Sequence, residues 1–382
     1  MSNIRNSNNP LVFSLGDKKV LWIPSINKYI LAEPIAADII VQFTDGKELP
    51  RITQKIQSEY YLNPSEASDL VEQIKKVWED NTNKTSQQNE ASEVNHQSPG
   101  VTVYSKKTYQ INQIIFDVEY ETEDAEWYNH PKFLHLEASP GNIPDHYFRV
   151  GDRNGLLTLW VNGEHAGSWE KTDNHFLSGK FSMQIVQKIY DKEEDQWMGV
   201  FHAAGISNGK QCMMFFGDSG NGKSTLSTLL MANGFDVLSD DFLPVDSKTG
   251  LVYRFPAALS IKKQAYDLVM SYYPELKNSS EYENPVLRKT YRFLAPKNLT
   301  LTGVPCKAII YVKYDPAIKF QIEKITPEEA FVKLVPDSWI NQNEENVGRF
   351  IRWFEQHDHY KMVYSDNEEM ISTVSEMLSQ EG

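Results

Sequence analysis

Apolar and polar positions change rhythm along this chain, and the changes predict its elements. Residues 11–15, 20–23 and 28–32 are short apolar runs around Gly16-Asp17, which predicts a hairpin and a third strand. From Pro34 the spacing becomes three and four, with Ile35, Ile39, Ile40 and Phe43 on one face of a helix closed by Asp45-Gly46. Pro50 opens a second helix carrying Ile52, Ile56 and Tyr60. Asn63-Pro-Ser-Glu66 combines an N-cap, a first-turn proline and a box-type glutamate, and the next helix buries Ala67, Leu70, Val71, Ile74 and Trp78. Three strands and then three helices predict a small winged-helix domain over 1–80. Residues 81–100 are rich in Asn, Ser, Gln and Thr with almost no apolar side chains, and predict a flexible linker.

Strand patterns dominate from Val101, with runs at 111–118, 147–150, 156–161 and 181–186, and a hairpin turn at Asn162-Gly163. The charged stretches 119–126 and 187–197 predict solvated loops. Residues 198–204 form an apolar strand with His202 inside it. Residues 211–216 and 235–238 predict two more strands, followed by a strand pair at 251–256 and 259–261. Residues 271–284 are polar with tyrosines and predict a mobile insertion. Strands follow at 308–312, 320–322 and 360–364. Thr326-Pro-Glu-Glu329 caps a helix through Leu334, and Val347, Phe350, Ile351 and Phe354 form one face of the next. Ser365-x-x-Glu368 caps a last helix carrying Met370, Ile371, Val374 and Leu378. The expectation is an α/β domain with a mixed sheet over 101–382.

One stretch declares chemistry. Gly217-Asp-Ser-Gly-Asn-Gly222-Lys223-Ser224 matches G-x-x-x-x-G-K-[ST], the P-loop, between a predicted strand and a helix with Leu226, Leu229 and Leu230 on one face and Gly234 at its end. Glycines let successive N–H groups converge on phosphate oxygens, and the helix adds its free N–H groups and positive dipole end. The nucleotide-binding set is Gly217, Asp218, Ser219, Gly220, Asn221, Gly222, Lys223, Ser224 and Thr225. Lys223 neutralises the β- and γ-phosphates of ATP, and the Ser224 hydroxyl holds Mg²⁺. The strand at 235–238 ends in Ser239-Asp240-Asp241, placing two carboxylates beside the P-loop for Mg²⁺ or for taking a proton from an attacking hydroxyl.

The block from Met213 to Asp246 resembles the catalytic domain of HPr kinase/phosphorylase, whose nucleotide site is shared with phosphoenolpyruvate carboxykinase. GDSGNGKST, the short helix-plus-strand spacing, the LSDD pair and the Phe201-His202-Ala-Ala segment carry the likeness. It implies an α/β P-loop kinase domain of HPr-kinase type, with catalytic Asp240, His202 and Lys223 and a metal held by Ser224 and Asp241. The family's further glutamate metal ligand has no match between Arg254 and Gln264. The order of N-terminal elements and the stretch LAEPIAADIIVQFTDGKELPRITQKI resemble the PqqD family, peptide-recognition modules of ribosomal peptide modification. That likeness implies a leader peptide added as a strand along 28–31, against the helix 65–78. A linker of this length would then hold the far end of the peptide at roughly millimolar local concentration.

Composition narrows the classes. The 382 residues are 40% hydrophobic, and the net charge of −14 disfavours non-specific binding to nucleic acid or anionic membranes. Only Cys212 and Cys306 are present, too few for a disulfide framework or zinc cluster, and a cytoplasmic setting fits. No stretch is long and apolar enough to span a bilayer, and the polar start MSNIRNSNNP has no signal-peptide core. An anionic acceptor would need cations near the site, for which Arg254, Lys262, Arg288 and Arg292 are the candidates. The reading is an ATP-dependent kinase acting on a hydroxyl, a serine in the first instance, of a ribosomally made peptide or small protein whose leader the N-terminal domain holds. A homo-oligomer is compatible with it. The alternatives are a nucleotide-gated regulator with a DNA- or protein-binding winged helix, an HPr-type serine kinase/phosphorylase, and a ligase-like enzyme activating a carboxylate.

Overall fold

A three-stranded antiparallel meander opens the chain: β1 (Leu11–Leu15), β2 (Lys18–Ile23) and β3 (Lys28–Ala32), in that spatial order. Helices α1 (Pro34–Thr44), α2 (Leu49–Tyr60) and α3 (Pro64–Thr82) follow. The Asn63–Glu66 capping box forms as expected: Glu66 N–H donates to Asn63 Oδ1 at 2.9 Å and Asn63 N–H to Glu66 Oε2 at 3.0 Å. The computed structural model describes residues 9–82, 102–139, 141, 143–153, 155–284 and 288–380. Asn81 and Thr82 of the expected linker are helical, and its remainder, 83–100, lies outside the described residues.

A second body combines β4 (Ser105–Ile111), β5 (Ile114–Tyr120), α4 (Glu123–Phe133), β6 (His146–Arg153), β7 (Leu156–Val161), β8 (Glu164–Glu170) and α5 (Asn174–Tyr190). Its sheet keeps sequence order, β4 to β8, and only the β5–β6 pair, bridged by α4, is parallel. Asn162 (φ 51°) and Gly163 (φ 87°) both sit at positive φ and close the β7–β8 hairpin.

The third body contains β9 (Trp197–Phe201), β10 (Ala204–Ser207), β11 (Cys212–Phe216), α6 (Lys223–Ala232), β12 (Asp236–Ser239), β13 (Leu243–Asp246), β14 (Val252–Tyr253) and β15 (Leu259–Lys262). It continues through α7 (Tyr266–Tyr272), β16 (Tyr282–Glu283), β17 (Thr290–Leu294), β18 (Gly303–Val304), β19 (Cys306–Tyr314), β20 (Phe320–Lys324) and α8 (Pro327–Leu334). The last elements are β21 (Ser338–Ile340), α9 (Glu344–Glu355), β22 (Asp358–Tyr364) and α10 (Asn367–Ser379). A six-stranded mixed sheet, β12-β10-β11-β19-β22-β20, faces a five-stranded sheet, β18-β14-β13-β9-β21. Along β11 the side chains alternate: Cys212, Met214 and Phe216 enter the core between the sheets, while Met213 and Phe215 pack under α6 and α10. The protein is thus a mixed α/β chain with several sheets.

The N-terminal meander is built into that core. Leu15, Val20 and Trp22 are buried with Phe331, Phe350 and Phe354 of α8 and α9, and the Tyr29 ring meets Phe331 edge-on at 6.1 Å. At the hairpin tip, Gly16 N–H donates to Glu355 Oε1 at 2.9 Å and Asp17 N–H to Glu328 Oε1 at 2.8 Å. The first sheet therefore shares its hydrophobic core with the elements around the P-loop, rather than standing free.

Several expectations are corrected. The run at 181–186 is not a strand but lies inside α5, where Leu177, Phe181, Ile185 and Ile189 recur every four residues; a six-residue apolar window does not distinguish the two periods. The first expected strand is a hairpin, β4–β5, turning at Asn112 with φ 54°. The acidic stretch 119–126 is not a loop: Glu119 and Tyr120 end β5, and Thr122 caps α4 by accepting from Ala125 N–H at 3.1 Å. Its acids then complement the helix dipole. Gln187 to Tyr190 complete α5 and Trp197 begins β9. The segment 271–284 is packed rather than loose, since Tyr273 and Leu276 are buried in the core beside α6. The cap of α10 is Asp366, one residue past the expected Ser365, accepting from Glu368 and Glu369 N–H at 3.0 Å.

Candidate active site

The P-loop lies between β11 and α6, as its glycines demand. Gly222 takes φ 88° to turn the loop into the helix, and a Cβ there would stand 3.2 Å from Tyr314 Cβ, so only glycine fits. The P-loop lysine, Lys223, is buried and its ammonium donates to the Gly217 carbonyl of its own loop. Burial holds its pKa below the ordinary lysine value, against the pull of Asp240 and Asp241. Asp218 is fixed by the Tyr311 hydroxyl, which donates to its Oδ2 at 2.9 Å. Ser219 accepts from Lys262 Nζ at 3.1 Å.

Across the loop, the end of β12 delivers the carboxylates. Asp240 is 5% exposed. Its Oδ2 accepts from the Ser224 hydroxyl at 2.7 Å and from Ser260 N–H at 3.3 Å, while Oδ1 is buried without a partner. Burial, and then the neighbouring Asp241, push its pKa up to about 6. Its surroundings are polar, with Ser224, Ser260 and Lys223 facing it, and not a sealed apolar interior. Asp241 is 37% exposed, and Lys132 Nζ of α4 stands 3.8 Å from its Oδ2. Burial would raise the pKa of Asp241, but Lys132, His202 and Lys223 outweigh it and hold the carboxyl below its usual value. The two neighbouring acids are thus driven in opposite directions, the arrangement that separates a proton acceptor from a fixed anion.

His202 is not inside a strand. It occupies the break between β9 and β10, is exposed, and brings Nδ1 to 3.2 Å from the Asp241 carbonyl oxygen. Of the four basic candidates only Lys262 reaches the loop, and burial lowers its pKa. Arg254 is a correction: it is 0% exposed, paired with Asp236, and donates to the carbonyls of Val237, Asn298 and Thr300. Arg292 donates to the carbonyls of Leu276, Lys277 and Ser279, and Arg288 pairs with Glu283 at 3.3 Å. Arg292 thus holds local structure, while Arg288 is a surface side chain, 76% exposed. Arg254→Met should therefore cost about 3–5 kcal/mol of stability in urea unfolding, by leaving three carbonyls without their donor and Asp236 without its cationic partner, with ATP affinity of the folded fraction unchanged. Unchanged stability with lost phosphate handling would return Arg254 to the site.

Lys132, Ser260 and Tyr311 escaped the sequence reading. Thr122 ahead of three acids is a local N-cap signal for α4 that the loop expectation for 119–126 passes over, and nothing local connects Lys132 with Asp241. That meeting depends on α4 docking beside β15, where Ala258 N–H donates to the Lys132 carbonyl at 2.9 Å.

Among the described residues no three His, Cys, Asp or Glu side chains gather into a metal cage. Mg²⁺ on a P-loop needs none, because it retains waters and takes phosphate oxygens. The Ser224 hydroxyl and the ionised Asp241 are hard oxygen donors of the kind that fits it.

Fold and site together define a mixed α/β protein with a P-loop opposed by a carboxylate pair. No protein-family model matches the chain, and no curated protein does. Among solved structures, it is similar to the HPr(Ser) kinase/phosphatase from Coxiella burnetii at 12% identity and a TM-score of 0.20, over 46% of this chain and 93% of that one. Among the described residues no helix is long and apolar enough to cross a membrane.

Proposed function

We propose that this protein is an ATP-dependent kinase that transfers the terminal phosphoryl group of ATP to a hydroxyl of a peptide or small protein. The observation that carries the reading is Asp240: one oxygen is held by the P-loop's own Ser224 at 2.7 Å, the other is unpartnered, and its pKa of about 6 suits a proton acceptor near neutral pH. The loop amides and Lys223 bind the phosphates. Asp240 Oδ1 takes the proton as the acceptor hydroxyl attacks, and the ADP oxygen leaves with its negative charge balanced by Lys223. Ser224 and Asp241 would hold Mg²⁺, which supplies charge neutralisation for the phosphates when bound. Lys132 and His202 keep Asp241 ionised.

The N-terminal module would take the substrate's leader as an added strand. β3 is an edge of its sheet, pairing with β2, and α3 packs Ile74 and Trp78 beside it. Lys28 Nζ donates to the Asn81 carbonyl and Oδ1 at 3.0 and 2.9 Å, bracing the strand against the end of that helix. The acids Glu66, Asp69, Glu72 and Glu79 on α3 disfavour DNA as the ligand. The test is mass spectrometry of short peptides encoded beside the gene, incubated with the protein and Mg-ATP. The expected result is a gain of one phosphate that requires the leader half. ATP consumed with every peptide intact would defeat the kinase reading, and equal phosphorylation without the leader would defeat the role of the N-terminal module.

A further inference from the structure

We infer that Tyr314 is the platform on which the base of the bound nucleotide stacks, an inference that rests on the ATP reading of the P-loop. Strands β11, β19 and β22 lie side by side and parallel, so their carboxyl ends, Phe216, Tyr314 and Tyr364, share one edge of the sheet. Ligands on open α/β sheets lie beyond that edge. The groups suited to phosphoryl transfer gather on one flank of the P-loop: Asp240 and Asp241 after β12, Ser260 and Lys262 of β15, and Lys132 of α4. In the sheet, β12 and β10 lie to one side of β11, and β19 and β22 to the other. A nucleotide whose terminal phosphoryl faces Asp240 therefore extends its nucleoside toward the ends of β19 and β22.

Tyr314 waits there. Tyr314 is 47% exposed, whereas Tyr364, beside it at the end of β22, is buried. It is also bound to the loop it would serve, because its N–H donates to the Asn221 carbonyl at 3.1 Å. The buried Tyr364 ring holds it edge-to-face at 5.8 Å and 86°. The charged neighbours Lys313 and Asp315 pair with each other at 2.9 Å, leaving the tyrosine face as the available contact. A flat ring, half in water and fixed beside the P-loop, offers a face on which a purine can stack.

The experiment is calorimetric titration of the full chain with Mg-ATP and, separately, with inorganic tripolyphosphate, for wild type, Tyr314→Phe and Tyr314→Ala. Wild type should bind ATP more tightly than tripolyphosphate. Tyr314→Ala should lose roughly 5- to 100-fold in ATP affinity, with tripolyphosphate affinity unchanged. Tyr314→Phe, which keeps the ring, should retain wild-type binding of both. An unchanged ATP affinity in Tyr314→Ala, or an equal loss for both ligands, overturns the stacking role while leaving the phosphate cradle intact. Wild-type protein that binds neither ligand overturns the nucleotide reading as well.

Discussion

Asp240→Asn should reduce phosphoryl transfer by roughly 10²–10⁴-fold with Mg-ATP still bound, since the amide cannot accept the hydroxyl's proton. The same change should stabilise the fold. The wild-type carboxyl has a folded pKa of about 6, above its ordinary 3.8. As pH rises through that interval the unfolded chain releases this proton first, so the native state holds the extra proton and stability falls. Above pH 6 both states are ionised and the penalty is complete, up to about 3 kcal/mol for a shift of this size. Asparagine removes it, so the variant should melt higher than wild type at pH 7–8, and the difference should vanish toward pH 4. Wild-type kcat should also lose activity on an acidic limb near pH 6. A variant that still transfers phosphate would show that Asp240 is not the base, and one that melts lower than wild type at pH 8 would show that its buried carboxylate does not destabilise the fold.

Lys223→Ala should abolish ATP turnover, by at least roughly 10²–10³-fold, because one preorganised cation facing developing phosphate charge is worth that much in a dry site. Its stability cost should be small by comparison. The hydrogen bond it removes joins the lysine to Gly217 of the same loop, and burial already disfavours the free ammonium. Turnover assays paired with thermal melts separate the two. Normal melting with lost turnover fits the phosphate role, and normal turnover would place the chemistry elsewhere.

The P-loop and its carboxylates were legible because their signal is local: glycine spacing, a lysine and a serine in eight residues, and acids ending the next strand. The N-terminal elements were legible for the same reason, with prolines, caps and apolar spacing agreeing over short windows. What failed was anything decided at long range. Arg254 resembles a phosphate clamp in the sequence, but becomes a buried strut only once Asp236 and the 298–300 backbone close around it. Lys132 reads as one of many surface lysines until α4 brings it to Asp241. His202 sits in an apolar run, yet the strand breaks there and turns it outward. The run at 181–186 misled because its alternation is compatible with a strand, while the four-residue recurrence appears only across the full length of α5.

The hairpin held by Glu328 and Glu355, with Leu15, Val20 and Trp22 sunk among the phenylalanines of α8 and α9, bears on how such a molecule can be rearranged. A recognition module joined only by a string can be exchanged for another without disturbing its neighbour. Here, exchange would strip apolar rings bare and leave two glutamates without their amide partners, so a replacement must bring matching side chains for that seam. The distance from the β3 edge to the P-loop is likewise set by packed side chains, so a substrate held at both, as proposed, would have to span a fixed length.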